Sequence, residues 1–229
     1  MNMSDTQPSL KRSLLYRTTT GEHYKQQDGG MLVAQFSAND AEQAKRCGLL
    51  DLSVARRTGL RGKNAPSVLS EHLPGMANTS VIQANFAEQL STGEWVLRLG
   101  KTEYWVLSSL TGTNASLDAL DQAASQTADC YPLYCQSSHA WFVLTGDYIS
   151  EVMAKLCAVD LNERVFPVGK IAQTSVARVN AIVVKQTYQG IPAFSILSDS
   201  SSAEYLWLAI LDAMQEFNGQ AIGADVLTV

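Results

Sequence analysis

Two runs rich in β-branched and aromatic residues, Glu94-Trp95-Val96-Leu97-Arg98-Leu99 and Glu103-Tyr104-Trp105-Val106-Leu107, are separated only by Gly100-Lys101-Thr102. Three residues cannot make a crossover, so the runs must pair antiparallel as a hairpin. Segments with helical spacing lie on both sides of it. Hairpins interleaved with helices exclude a purely parallel, doubly wound sheet and predict an α+β fold with antiparallel or mixed sheets and packed helices.

Along the chain, residues 1–30 are rich in Ser, Thr, Gln and Gly and end at Asp28-Gly29-Gly30. They have no sustained period, which predicts an extended, partly flexible N-terminal arm. A strand over 31–36 follows, then a helix that Asn39 can cap, with Glu42 completing the capping box, and that stops near Gly48. Residues 49–53 read as a buried strand. Residues 58–62 bring the chain to a turn before a helix over 64–73. Further helices are expected over 116–126 and 147–157, and strands over 131–136, 141–145, 175–186 and 193–197. The last helix carries Ser201 as cap, Glu204 three positions on, a face of Leu206, Ile210, Ala213 and Phe217, and a left-handed stop at Asn218-Gly219.

Two stretches echo one another: Leu60-Arg61-Gly62-Lys63-Asn64-Ala65 with Val68-Leu69, and Leu144-Thr145-Gly146-Asp147-Tyr148-Ile149 with Val152-Met153. Each reads as a strand ending just before a glycine, followed by a helix that lays one apolar stripe back on the sheet. The echo divides the chain after the arm into two α+β halves, 31–127 and 128–229, forming one compact unit.

With 229 residues, 46% of them hydrophobic, there is enough apolar surface for a core, and the longest apolar run, 205–211, is far too short to span a bilayer. Asp5, Lys11, Arg12 and Arg17 break up the N-terminal apolar patch, so no secretion signal is read and a cytoplasmic location is expected. Cys47, Cys130, Cys135 and Cys157 are then thiols. A net charge of −5 argues against a general nucleic-acid binder.

Reactive constellations are sparse. Cys130, Cys135 and His139 are three ligands where a closed zinc site needs four, so no metal site is assigned. Ser137-Ser138-His139 lacks the G-x-S-x-G elbow, and alternation along a strand would point Ser138 and His139 to opposite faces. Neither GxGxxG nor a P-loop is present. The stretch 45–63 stands out: Lys45, Arg46, Arg56, Arg57, Arg61 and Lys63 against Asp51 give it +5 while the rest of the chain sums to −10. Such asymmetry suits docking to an acidic partner or an anionic ligand, with Arg56, Arg57, Arg61 and Lys63 as the docking side chains, or a plain solvated edge. Gly59-Leu60-Arg61-Gly62 also offers the basic GxxG of an RNA module, though on a strand rather than between helices.

Leu50-Asp51-Leu52-Ser53 followed by Gly59-Leu60-Arg61-Gly62-Lys63-Asn64-Ala65 resembles the opening motif of the folate-binding aminomethyltransferases, typified by the T-protein of the glycine cleavage system. Cys157-Ala158-Val159-Asp160-Leu161, Arg164-Val165-Phe166-Pro167-Val168-Gly169, Ala172-Gln173-Thr174-Ser175-Val176-Ala177-Arg178 and the stretch from Phe194 to Trp207 resemble one branch of it, the gamma subunit of heterotetrameric sarcosine oxidase. The resemblance spans roughly 30–220. It implies two ferredoxin-like halves and a complex oxidising sarcosine to glycine with tetrahydrofolate as one-carbon acceptor. Alpha, beta and delta chains would be the partners. FAD, FMN, NAD, tetrahydrofolate and zinc would sit on those subunits, with no cofactor on this one.

Catalytic relatives carry paired aspartates at places occupied here by Thr92 and Gly93, neither a base near neutral pH. Glu94, one residue along, falls on the other strand face. The reactive K-G-C of the tRNA-modifying relatives has no counterpart around Val168-Gly169-Lys170. The resemblance therefore implies a structural subunit without catalytic residues. Other readings from the same residues are a stand-alone aminomethyltransferase using Glu94 or Asp51, an RNA-binding module, and a subunit of an N-methylglutamate dehydrogenase-type complex.

Overall fold

The computed structural model describes residues 10–76, 82–111 and 114–227; the first nine residues of the expected arm lie outside them. In chain order the strands and helices are β1 (Lys11–Arg12), β2 (His23–Gln27), β3 (Gly30–Gln35), α1 (Asp40–Arg46), β4 (Gly48–Asp51), β5 (Arg57–Arg61), α2 (Ala65–His72) and β6 (Phe86–Gln89). The chain continues through β7 (Trp95–Arg98), β8 (Glu103–Leu107), α3 (Ala115–Gln126), β9 (Tyr131–Leu133), α4 (Cys135–Ser138), β10 (His139–Thr145) and α5 (Ile149–Leu156). It ends with β11 (Ile171–Val176), β12 (Val179–Tyr188), β13 (Ile191–Asp199), α6 (Ala203–Met214) and β14 (Gln220–Ala221).

These elements form an α+β architecture with mixed and antiparallel sheets. The five-stranded sheet runs β6-β7-β8-β5-β9, the six-stranded one β11-β12-β13-β10-β4-β14, and a small sheet β1-β3-β2. β5-α2-β7-β8-α3-β9 follows the split β-α-β order, and β10-α5-β12-β13-α6-β14 repeats it with β4 wedged between β10 and β14. Alternation along the strands explains their continuous apolar runs. In β7 and β8, Trp95, Leu97, Trp105 and Leu107 enter a core shared with Trp141, Val143 and Leu197 of the other sheet. Val96, Tyr104 and Val106 turn the opposite way, to Val68, Leu69, Leu117 and Leu120 of α2 and α3. In β10, Ala140, Phe142 and Leu144 likewise face Val152, Met153, Leu206 and Ile210 of α5 and α6. Two sheets therefore pack inner face to inner face with helices outside, and strands buried on both faces must be apolar throughout.

The echo is physical. Gly62 (φ 139°) and Gly146 (φ 107°) each end a strand before a helix. A β-carbon at Gly62 would lie 2.1 Å from the Asp129 carbonyl oxygen, and one at Gly146 2.5 Å from that of Arg46. Glycine is required in both places because another segment's backbone crosses there.

Some local expectations change. The stretch 175–186 is not one strand but a hairpin, β11 to β12, turning at Ala177 (φ 47°) and Arg178 (φ 68°). Left-handed residues suit a tight hairpin, but Ala-Arg carries none of the Asn-Gly signal that announces one. Residues 134–138 leave the strand for the single turn of α4. Asn39 makes no side-chain cap bond; Asp40 instead accepts from Phe36 N, Ser37 N and Gly223 N, pinning the entry of α1 to the C-terminal segment. Ser201 does not cap α6, whose N-cap residue Ser202 makes no side-chain cap bond; Asp199 instead accepts from Ser201 N at 2.8 Å, capping the short 3₁₀ turn over Ser200–Ser202 that leads into the helix. Within 10–30, β1 and β2 flank β3, and Leu15 is fully buried beside the α5–α6 core.

Candidate functional site

The place where the resemblance implies paired carboxylates is the tight turn between β6 and β7. Leu90 N donates to Glu94 O at 2.8 Å and Gly93 N to Leu90 O at 2.9 Å, closing it. Thr92 is exposed at the tip and Gly93 holds φ 97°. A β-carbon at Gly93 would sit 2.6 Å from Ser109 Oγ. Glu94 has the parity of Val96, so it turns to the helix side and is buried, with Oε1 accepting from Ser116 Oγ at 3.1 Å. Its Oε2 has no hydrogen-bond partner among the described residues, nor do Ser108 Oγ and Asn114 Oδ1. These buried orphans gather at the start of α3, where Asn114 also donates to Asp28 Oδ1 and Asp28 Oδ2 accepts from Arg56 N at 2.8 Å.

The basic stretch lands on the same region. Arg56 bridges Asp118 (3.0 Å) and Asp121 and donates to Arg57 O at 2.8 Å, so acids of α3 neutralise it. Arg57 is fully buried. Its guanidinium donates to the carbonyls of Cys135 (3.2 Å), Ser53 (3.1 Å), Ala55 (3.1 Å), Gln136 (3.0 Å) and His139. Burial lowers its pKa to about 10, leaving it cationic at neutral pH. A side chain so enclosed cannot meet a partner, which corrects its assignment as a docking residue; Arg57 ties β5 to the α4–β10 connection. Arg61 is exposed and pairs with Glu103, and Lys63 is exposed beside it. Of the four expected docking side chains, only Arg61 and Lys63 are out in solvent.

Asp51, at the end of β4, accepts from Ser13 Oγ and from Ser53 N at 2.9 Å; burial raises its pKa against those bonds. Cys130 and Cys135 belong to different cores, and no three His, Cys, Asp or Glu side chains cluster as metal ligands among the described residues. Burial pushes the Cys135 thiol up to about 12, so it stays protonated. Ser138 Oγ and His139 Nδ1 do meet, at 2.8 Å, because Ser138 ends α4 and escapes strand alternation. The imidazole packs edge-on against Trp105, and Asp199 across the ladder is bonded to Ser201 rather than aligned with it. Sequence reading missed Asp28, Asn114 and Ser116 as members of the Glu94 cluster. Only the Asp28-Gly29-Gly30 turn signal pointed at any of them, since the contacts span up to 86 positions.

Fold and sequence pattern together define a unit of the folate-binding aminomethyltransferase type. The chain belongs to the GCVT N-terminal domain family, whose pattern matches residues 19–229. It is 25% identical over 175 residues to an aminomethyltransferase of Streptomyces avermitilis, covering 73% of this chain and 46% of that one. It thus spans about half the length of that curated relative. The fold is that of the heterotetrameric sarcosine oxidase from Corynebacterium sp. U-96 in complex with pyrrole 2-carboxylate, with a TM-score of 0.62 and 23% identity over 80% of this chain and 92% of the matched chain. It is also that of the glycine cleavage system aminomethyltransferase T from Bartonella henselae, with a TM-score of 0.75 and 15% identity over 95% of this chain and 61% of that one. Among the described residues no helix is long and apolar enough to cross a membrane.

Proposed function

We propose that this chain is a non-catalytic, gamma-type subunit of a heterotetrameric sarcosine oxidase-like flavoenzyme, bracing alpha, beta and delta chains that carry the flavins, NAD, folate and zinc. The observation that carries the reading is the β6–β7 turn: an exposed Thr92 and a bare Gly93 stand where catalytic relatives hold carboxylates, and Glu94 faces α3 instead. Glu94 can accept a hydrogen bond there but has no open path to a folate amine through that helix contact. The 92% coverage of the matched sarcosine oxidase chain supports the same reading, against 61% of the aminomethyltransferase. Arg61 and Lys63 are the basic side chains left for docking.

Co-expression with candidate alpha, beta and delta chains tests it: all four are expected to co-elute as a yellow, flavin-bearing complex. An active oxidase assembled from the other three while this chain elutes alone overturns the reading. Saturable tetrahydrofolate binding with turnover by the isolated chain would favour a stand-alone transferase.

A further inference from the structure

The arm, the β2–β3 hairpin and the end of β4 enclose a cavity of about 240 Å³ that the assembly reading does not use. That is many times the roughly 10–15 Å³ one water needs. Its wall is apolar, built by Met31, Val33 and Ile222, with the half-exposed rings of Tyr16 and Tyr24 beside it. Two charges line the same space. Asp51 accepts from the Ser13 hydroxyl, the Ser53 hydroxyl and the Ser53 backbone N–H, which leaves a lone pair free, and it forms no ion pair among the described residues, the buried Arg57 cation acting on it only from a distance. Arg12 is exposed, stacks 5.4 Å above the Tyr16 ring and pairs with no described carboxylate. Although Arg12 adjoins Ser13, whose hydroxyl donates to Asp51, the two charges do not pair across the cavity.

A carboxylate and a guanidinium that form no ion pair with any described residue and share an apolar-walled cavity are complementary to a molecule that carries both opposite charges and an apolar body. A simple amine would satisfy Asp51 alone and face Arg12. A simple carboxylate would satisfy Arg12 and face Asp51. We propose that this cavity binds a small zwitterionic amino acid, its ammonium on Asp51, its carboxylate on Arg12 and its apolar side chain against Met31 and Val33. Ser13 holds the Asp51 carboxylate toward the arm, so the ligand bridges the arm to β4. The inference stands apart from the assembly reading, since a subunit can dock with or without a ligand here.

Calorimetry of the full chain with L-valine, L-proline and sarcosine, beside isobutylamine and isobutyrate as single-charge controls, tests it. At least one amino acid is expected to bind saturably, with both controls about tenfold or more weaker. Arg12→Gln and Asp51→Asn should each weaken the amino acid by about tenfold or more. No saturable amino-acid binding overturns the proposal, as do controls that bind equally well. Should Asp51→Asn fail to fold for want of the Ser13 contact, Arg12→Gln decides, because its side chain is exposed; unchanged affinity in that variant overturns the proposal.

Discussion

Arg57→Lys separates a structural cation from a docking one, because it keeps the charge and changes only the donor geometry. The guanidinium supplies five backbone carbonyls, those of Ser53, Ala55, Cys135, Gln136 and His139. An ammonium has three donors, so at least two carbonyls lose theirs. A buried carbonyl stripped of its donor costs about 1–3 kcal/mol. Gln136 Nε2 lies 3.5 Å from Ser53 O and 3.3 Å from Ala55 O and can take over part of the duty, which places the loss in the lower range. The expected destabilisation is about 2–4 kcal/mol, or roughly 5–15 °C in Tm at about 2–4 °C per kcal/mol for a chain of this size. Urea unfolding followed by tryptophan fluorescence reads it directly, and an unchanged m-value would place the effect in the native state. Arg61→Lys, at an exposed ion pair, should change stability by about 0.5 kcal/mol or less. A loss below about 1 kcal/mol for Arg57→Lys would refute the claim that this side chain holds β5 to β10 through its carbonyl bonds.

Gly93→Ala forces a β-carbon against Ser109 Oγ at a positive φ and should cost about 1–3 kcal/mol in a urea titration. Ser13→Ala removes the hydroxyl that Asp51 accepts; amide exchange over 11–19 should accelerate by about tenfold, the equivalent of one hydrogen bond, while exchange in β10 stays unchanged. Burial, with the Arg57 charge nearby, lowers the His139 pKa from 6.5 despite the opposing pull of Asp199. The unfolded chain therefore takes up this proton first as pH falls through 6.5, so stability should drop in that window and level off once the folded imidazole titrates too. Tm measured across this range should fall, and His139→Gln should flatten the fall.

The parts of this fold legible in the sequence are those with short-range causes. The β7–β8 hairpin is forced by a three-residue link, and the Gly62 and Gly146 strand-to-helix turns announce themselves by glycine followed by an apolar stripe. Elements whose cause lies elsewhere in the chain stayed hidden. β1 and β2 read as featureless because they are short and exposed, and only pairing with β3 orders them. The β11–β12 turn hid because Ala177 and Arg178 adopt left-handed geometry under external hold: Ala177 N donates to Leu156 O, and Tyr205 OH to Ala177 O. Charge counting located the basic stretch but could not distinguish Arg57, enclosed by carbonyls, from Arg61 in solvent. That difference is set by chain segments some eighty positions away.

The same division bears on function. What holds this fold lies mostly in doubly buried strands and in glycines crossed by other backbones, and the β6–β7 turn adds its own packing of Gly93 against Ser109. Turn tips are where such a unit can carry chemistry, yet at this turn Gly93 and Glu94 are themselves fixed by packing. Ser109 occupies the space a side chain at 93 would need, and Ser116 engages the carboxylate of Glu94. A carboxylate placed at 93 would first have to displace Ser109 and relieve a φ of 97°. A side chain of any kind at 93 is thus sterically opposed by the scaffold itself, through Ser109 and the positive φ together.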